Sequence, residues 1–155
     1  MALPAYLFLT DTLGNSIRGG SDAKDREGAI ELINMAHHID LPINMASASA
    51  SANRVHRPVT LTKHVDCSST YLLKAICQKE RLKSALIKCY RINDAGLEEE
   101  FFNIFMEDVL VSHITPSLSS IGGSGLPSET FSLVYKNITW RYLDGNLCFT
   151  DNICH

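Results

Sequence analysis

One segment of this chain has the periodicity of an α-helix, whereas most of the remaining sequence has the pattern of short strands and turns. Between residues 72 and 79, the side chains of one face recur at spacings of three and four. The hydroxyl residues 68–70 stand just before them, where their oxygens can accept hydrogen bonds from the free N–H groups of a first helical turn. The pattern therefore predicts a helix from Ser69 to about Arg81.

Around this helix, short runs of β-forming residues alternate with clusters of Gly, Asn and Asp. We count about eight strands, which favours a mainly β fold: a small barrel of two packed antiparallel sheets with one helix. The large residues change phase between Tyr135 and Ile138, which predicts a bulge or bend. A chain of 155 residues most simply forms a single domain.

The composition excludes several classes of protein. A net charge of −3 gives no electrostatic footprint for nucleic acid. No apolar run approaches the roughly 18 residues of a membrane helix, so no membrane insertion is expected. Residues 1–9 have no Lys or Arg ahead of their apolar run, so they make a poor export signal. Five cysteines without a CxxC pair favour reduced thiols.

The sequence contains few candidates for a metal, cofactor or catalytic site. The six histidines have no metal-ligand spacing, so we expect no metal site and no cofactor. Cys67 precedes the predicted helix, where a thiolate would be favoured, and this leaves a thiol hydrolase as one alternative. The strand count alone would also suit a barrel that binds a small apolar ligand. The leading expectation is a protein without catalytic activity.

Residues 44–53 are built almost entirely from Ser and Ala and have no large side chain after Met45. Such a segment has nothing with which to anchor itself in a core. Its composition is typical of a flexible linker, or of a loop that becomes ordered only against a partner.

The charges also fall into two blocks. From Lys74 to Arg91 there are six basic residues and one acid, and from Asp94 to Asp108 there are six acids and no base. One interpretation is pairing within a hairpin, for example Arg91 opposite Glu98. The other is a positive face that meets the negative face of a neighbouring copy, head to tail, and closes a ring.

An ordered series of short motifs resembles the Hcp (haemolysin-coregulated protein) family, whose members form the inner tube of the bacterial type VI secretion system. The series covers nearly the whole chain, and its most specific member is the run Tyr-Arg-Ile-Asn-Asp-Ala-Gly at 90–96. The other matching segments are 4–7, 25–28 with 30–31, 62–63 with Asp66, 68–69, 71–72, 74–75, 82–85, 138–140 and 144–146.

This resemblance implies a single Hcp-like domain over residues 1–155, similar to phage tail-tube proteins. It implies a homohexameric ring that stacks into a hollow tube within a contractile sheath, with a spike protein at the tip and effector proteins in the lumen. It further implies assembly in the bacterial cytoplasm and secretion through the type VI apparatus without a signal peptide.

Two sets of site residues follow as expectations. In the resembling family the position of the Ser/Ala segment holds an extended loop that reaches the next ring, and the charge blocks are candidates for the ring interface. The predicted ring-stacking residues are Met45, Ala46, Ser47, Ser49, Ser51, Arg54 and His56. The predicted ring-interface charges are Lys79, Arg81, Lys83, Glu98, Glu99 and Glu100.

The chain also departs from the family pattern in three places. Residues 117–125 are rich in Ser and Gly where the family has a polar loop with His and Asp. Cys89 replaces a strand tryptophan, and the ending 148–155 is unusual. These departures bear on the chemistry of the lumen and on assembly, and not on the fold.

Overall fold

A computed structural model describes residues 4–118 and 126–153. The described part is mainly β, with one helix, so the predicted fold class is confirmed. The elements are β1 (Ala5–Thr10), β2 (Ser16–Ile17), β3 (Ile30–Leu32), β4 (Asn34–Ala36), β5 (Ile39–Asp40), β6 (Ile43–Asn44), β7 (Ser49–Ala50), β8 (Val55–His56), β9 (Val59–His64), α1 (Ser69–Cys77), β10 (Leu82–Ile92), β11 (Glu98–Ser117), β12 (Ser128–Val134), β13 (Asn137–Tyr142) and β14 (Leu147–Asn152).

The helix begins where the periodicity predicts, but it ends at Cys77 and not near Arg81. Lys79 takes a left-handed conformation, with φ of 54°. The N–H of Glu80 donates to the carbonyl of Ala75 at 2.9 Å, and the N–H of Lys79 donates to that of Ile76 at 3.4 Å. These two bonds form a Schellman motif, which usually has glycine at the left-handed position. Because lysine occupies it here, no glycine marks the helix end in the sequence.

The strand pairings wrap the sheet almost completely around the core. They run in the order β1, β10, β11, β12, β9 and β4, and all of these pairs are antiparallel. β4 is separated from β3 by Ile33 alone, and β3 pairs with β1. The long β11 makes this possible, because its first half pairs with β10 and its second half with β12.

The phase change between Tyr135 and Ile138 lies at the two-residue break between β12 and β13, where the strand on one side changes from β9 to β14 while β11 stays on the other. β12 ends at Val134 beside the second half of β11, whereas β13 starts at Asn137 beside its first half. The register against β11 continues across this break, from Val134 opposite Leu110 to Asn137 opposite Glu107, so the apolar side chains change phase without a slip along β11. β13 then turns tightly into β14, as the Asp-Gly-Asn turn at 144–146 predicts.

Large apolar side chains fill the interior. Leu7, Ile87, Phe131 and Leu133 are fully buried, and α1 contributes Leu72. A barrel that binds a small ligand keeps its interior open, so the packed interior gives this alternative no support.

A buried ionic network joins α1 to the sheets. It contains Lys63, Asp66 and the serines at 68–69, which explains why these residues recur together as a family motif. Lys63 is fully buried, and its Nζ lies 2.5 Å from Glu129 Oε1 and 2.9 Å from Asp66 Oδ1. It also donates to Ser69 Oγ at 3.1 Å, and that hydroxyl donates to Glu129 at 2.7 Å. Ser68, at the N-cap, makes no side-chain cap and instead donates its hydroxyl to Asp66.

Candidate functional site

Residues 39–56 form a two-stranded arm that leaves the sheet after β4 and returns to it at β9. Ile39 pairs with His56 and Asp40 with Val55 in its first section. In the second section Ile43 pairs with Ala50. The Ser/Ala segment is therefore a hairpin with defined pairing in the single chain, and not the unstructured linker that its composition suggested.

Local hydrogen bonds shape the turn at the tip of the arm. The side chain of Asn44 accepts from the N–H of Ala46 at 3.0 Å, and the hydroxyls of Ser47 and Ser49 lie 2.7 Å apart. Ala48 has φ of 52°, a left-handed conformation that a tight turn requires. Small residues suit such a turn because their side chains crowd the backbone least.

The arm exposes apolar side chains along most of its length. Met45 at the tip is 87% exposed and Leu41 is 52% exposed. Ile39, Ile43 and Val55 are each at least 40% exposed. Apolar side chains that cluster in this way on a protruding hairpin are typical of a surface that contacts another protein.

The seven predicted stacking residues fall into two groups. Five lie together at or near the exposed tip: Met45, Ala46, Ser47, Ser49 and Ser51. Arg54 and His56 lie instead at the base of the arm, where they contact the end of the chain. The structure thus separates a tip that faces solvent from a base that holds the arm to the barrel.

The base is held by a chain of hydrogen-bonded side chains. The hydroxyl of Tyr135 lies 2.8 Å from His37 Nε2 and 2.7 Å from His56 Nδ1. His56 Nε2 in turn lies 2.8 Å from Asp151 Oδ2. We call these four residues, His37, Tyr135, His56 and Asp151, the clamp.

Arg54 and Trp140 complete the surroundings of the clamp. The guanidinium of Arg54 donates to both carboxylate oxygens of Asp151, at 2.8 and 2.7 Å, which is the strong bidentate geometry. The indole of Trp140 stacks against both imidazoles, with ring centroids 6.3 Å from His37 and 6.4 Å from His56. The base of the arm is therefore packed as well as hydrogen-bonded.

The environment shifts the ionisation of three of these groups. The hydrogen bonds from Arg54, together with those from His56, hold the pKa of Asp151 well below its usual range. Burial raises the pKa of Tyr135, and the negative charge of Asp151 adds to the effect. Burial also lowers the pKa of His37, and the nearby His56 lowers it further. At neutral pH the carboxyl is ionised and the phenol is protonated.

Sequence reasoning missed most of the clamp. The six histidines have no spacing that singles out His37 or His56, and Trp140 stands out only within the family motif at 138–140. Tyr135 and His37 are 98 positions apart in the chain. No local spacing reveals such a pair, so only the fold brings it together.

The six predicted ring-interface charges lie at opposite ends of the β10–β11 hairpin and form no single cluster. Lys79, Arg81 and Lys83 lie at the start of β10, where Leu82 pairs with Val109. The three glutamates, Glu98, Glu99 and Glu100, lie at the other end, where Ile92 pairs with Glu98.

Part of the acidic block is paired within the chain. Glu99 accepts from Arg91 Nε at 3.0 Å, and Glu98 lies 2.8 Å from Arg26 Nη2. The expected partner of Arg91 was thus wrong by one residue. Lys79 and Lys83, at the opposite end, are exposed.

Other candidate sites find no support within the described residues. The thiol of Cys67 donates to the carbonyl of Arg18 at 3.3 Å, a contact that uses the protonated thiol. In the parts of the chain that the structure covers, no three His, Cys, Asp or Glu side chains come together as metal ligands. Nor does any helix there have the length and apolarity needed to cross a membrane. The Ser/Gly-rich segment lies mostly outside the described residues, as do the last two residues of the chain.

A family model described as "Type VI secretion system effector, Hcp" matches residues 6–142. The chain belongs to the Hcp family of type VI secretion proteins. This confirms the resemblance found in the sequence, and it places the chain in a family of structural secretion proteins.

Individual relatives agree with this assignment. The chain is 28% identical to the "Major exported protein" of Pseudomonas aeruginosa, over 92% of this chain and 90% of that protein. A structure of Hcp1 from the Escherichia coli pathovar EAEC 042 is 39% identical, with a TM-score of 0.89 over 97% of this chain and 99% of that one. Hcp3 from P. aeruginosa shares the fold at 24% identity, with a TM-score of 0.77 over 97% and 98% of the two chains.

Proposed function

We propose that this chain is a subunit of a type VI secretion tube, in which six copies form a ring and the rings stack through the arm. The observation that carries the proposal is the protruding hairpin with exposed Leu41, Ile43 and Met45, which a single chain leaves without a partner surface. A contact between the tip and a different face of the next copy is heterologous. Contacts of this kind that do not close on themselves generate open-ended stacks.

Ring closure needs a second contact surface, and the edge strand β14 supports one. Among the described strands it pairs only with β13, and it exposes Leu147 and Phe149 by 66% and 64%. An edge strand with exposed apolar side chains is suited to contact with a neighbouring copy. The charge blocks, at opposite ends of the β10–β11 hairpin, are suited to a head-to-tail arrangement of copies, with the basic end of one beside the acidic end of the next.

The proposed cellular role follows from the family. The tube would assemble in the bacterial cytoplasm, inside a contractile sheath and behind a spike protein at its tip. It would then be secreted through the type VI apparatus, with effector proteins in its lumen. This role is structural, so it requires neither catalysis nor a cofactor.

Stacking is tested by making the arm polar without shortening it. The variant Ile43→Ser with Met45→Ser removes two exposed apolar side chains, so the monomer core is untouched. We expect six-subunit rings by native mass spectrometry, as in the parent, and loss of tubes by electron microscopy.

The matched control is Leu13→Ser with Leu97→Ser. These two side chains are 85% and 65% exposed, at turns far from the arm in sequence, and the control variant should stack as the parent does. Tubes of normal length from the arm variant would refute the assignment of the arm. A strictly monomeric parent at micromolar concentration would refute the ring.

A further inference from the structure

The clamp contains two imidazoles that share one phenol. A hydroxyl has a single proton, so Tyr135 donates to one of the two facing nitrogens and accepts from the other. Of His37 Nε2 and His56 Nδ1, therefore, one carries a proton and the other does not.

Asp151 determines the direction of the hydrogen bonds within the clamp. A carboxylate only accepts, so the proton between it and His56 is on Nε2. In a neutral His56 the Nδ1 atom is then an acceptor, and the hydroxyl of Tyr135 donates a hydrogen bond to it. His37 Nε2 must donate to the phenol oxygen. With one proton on each imidazole, every contact among the four clamp side chains has one donor and one acceptor.

A first additional proton can be accommodated. Placed on His56 Nδ1, it makes that nitrogen a donor to Tyr135, and the phenol turns to donate to His37. The proton of His37 then lies on Nδ1. The Nε2 atom of His56 keeps its contact with the carboxylate of Asp151 in this arrangement.

A second additional proton cannot be accommodated in this geometry. Both His37 Nε2 and His56 Nδ1 would point N–H groups at one oxygen, and the proton of Tyr135 would lose its acceptor within the clamp. Two imidazolium rings would also be held on either side of one phenol.

Burial lowers the pKa of His37 and outweighs a hydrogen bond between His37 and the backbone of Arg57, which favours the charged imidazole. The surrounding charges do not compensate for the second imidazolium. Asp151 is already shared between Arg54 and His56. On the arm, Asp40 accepts from Arg57 at 3.0 Å and lies 3.8 Å from His38 Nε2. Beside β12 and β13, Lys136 lies 4.0 Å from Asp108, and Trp140 offers only its ring face.

We propose that the clamp is an acid-sensitive latch, which holds the base of the arm against β12–β14 at neutral pH and releases it when both imidazoles are protonated. The direction of this pH dependence follows from the burial of His37, which lowers its pKa while the arm is docked. A group with a lowered imidazole pKa contributes stability that is complete above the ordinary histidine pKa of about 6.5 and is lost as the pH falls below it. Under the proposed function, tube stacking would show the same pH dependence. The latch itself is tested on the purified protein, without tubes.

Trp140 supplies the reporter, because it is the one tryptophan in the sequence and stacks on both imidazoles. Release of the arm exposes the indole, so its emission should shift to longer wavelength between pH 7.5 and pH 5. Hydrogen exchange of residues 39–56, corrected for intrinsic rates, should rise about tenfold for each unit by which the docked pKa is lowered. Far-UV circular dichroism should show that the barrel remains folded.

Two variants separate titration from mere contact. In His37→Gln the side-chain amide still donates to Tyr135 but cannot take up a proton, so Trp140 emission should be independent of pH over this range. In His37→Ala the contact is lost, so emission should be shifted at every pH. The proposal is overturned by a parent without the transition, or by a glutamine variant that keeps it.

Discussion

The Nζ atom of Lys63 lies 2.5 Å from Glu129 Oε1, and the two side chains are 0% and 2% exposed. A charge pair so completely removed from water depends on both partners. We expect Lys63→Met to lower the free energy of unfolding by roughly 3–5 kcal/mol, because it leaves a buried carboxylate without its cation. Urea denaturation measures this loss.

The double variant Lys63→Met with Glu129→Leu should recover much of that loss, since a buried apolar pair avoids the cost of desolvating two charges. As a control, Lys136→Met removes an exposed pairing with Asp108 at 4.0 Å and should change stability by less than about 1 kcal/mol. If Lys63→Met alone costs no more than this control, the network does not stabilise the fold.

The left-handed Lys79 predicts a stabilising substitution. Lys79→Gly should raise the free energy of unfolding by about 1 kcal/mol, because glycine adopts φ near 54° without the Cβ penalty. For a chain of this size, that corresponds to a rise in Tm of about 2–4 °C. Lys79→Ala removes the same charge and keeps the Cβ, so it should bring no gain. Equal stability of the two variants would refute the assignment to backbone strain.

The same residue shows what the sequence can and cannot determine about the fold. The start of α1 follows from local pattern, and so do the β13–β14 turn and most strands, because hydrophobic period and turn residues are local properties. The end of α1 does not, since the left-handed position that closes it is occupied by Lys79 and not by a glycine. The division of β11 is equally invisible, because one continuous strand pairs with β10 and β13 along its first half and with β12 along its second.

The candidate site divides in the same way. The exposure of the arm tip was predicted, because a run of Ser and Ala has no large side chains with which to enter a core. The clamp was not predicted, because His56 and Asp151 are 95 residues apart in the sequence and are brought together only by the folding of β9, β13 and β14. Arg54 and His56 were predicted to act at a ring contact, whereas the structure gives them contacts within their own chain.

The carboxyl of Asp66 predicts a specific dependence of stability on acid. Burial alone would raise its pKa, but hydrogen bonds from Ser68 and Lys63 outweigh burial and hold the pKa below its usual value. The stabilisation is therefore present above the unfolded value of about 3.9 and is lost as the pH falls through the lower folded value. In Asp66→Asn, stability between pH 5 and pH 2 should fall less steeply than in the parent. Parallel curves for the two proteins would contradict this role.

The basic block offers a test of contact between copies. Lys79 and Lys83 are exposed at one end of the β10–β11 hairpin, whereas Glu98 and Glu99 at the other end are already engaged with Arg26 and Arg91. If the basic end meets an acidic surface of a neighbouring copy, Lys79→Glu with Lys83→Glu should weaken rings far more than it lowers the Tm.

Added salt should weaken the parent rings in the same direction, because exposed charges are screened within about 10 Å at 0.1 M. The variant Lys24→Glu with Lys136→Glu makes the same change in net charge and leaves Lys79 and Lys83 in place, so it separates local contact from overall repulsion. Native mass spectrometry at several salt concentrations compares the three proteins. If the two variants lose rings equally, net charge is responsible, and if neither loses rings, the basic block has no part in assembly.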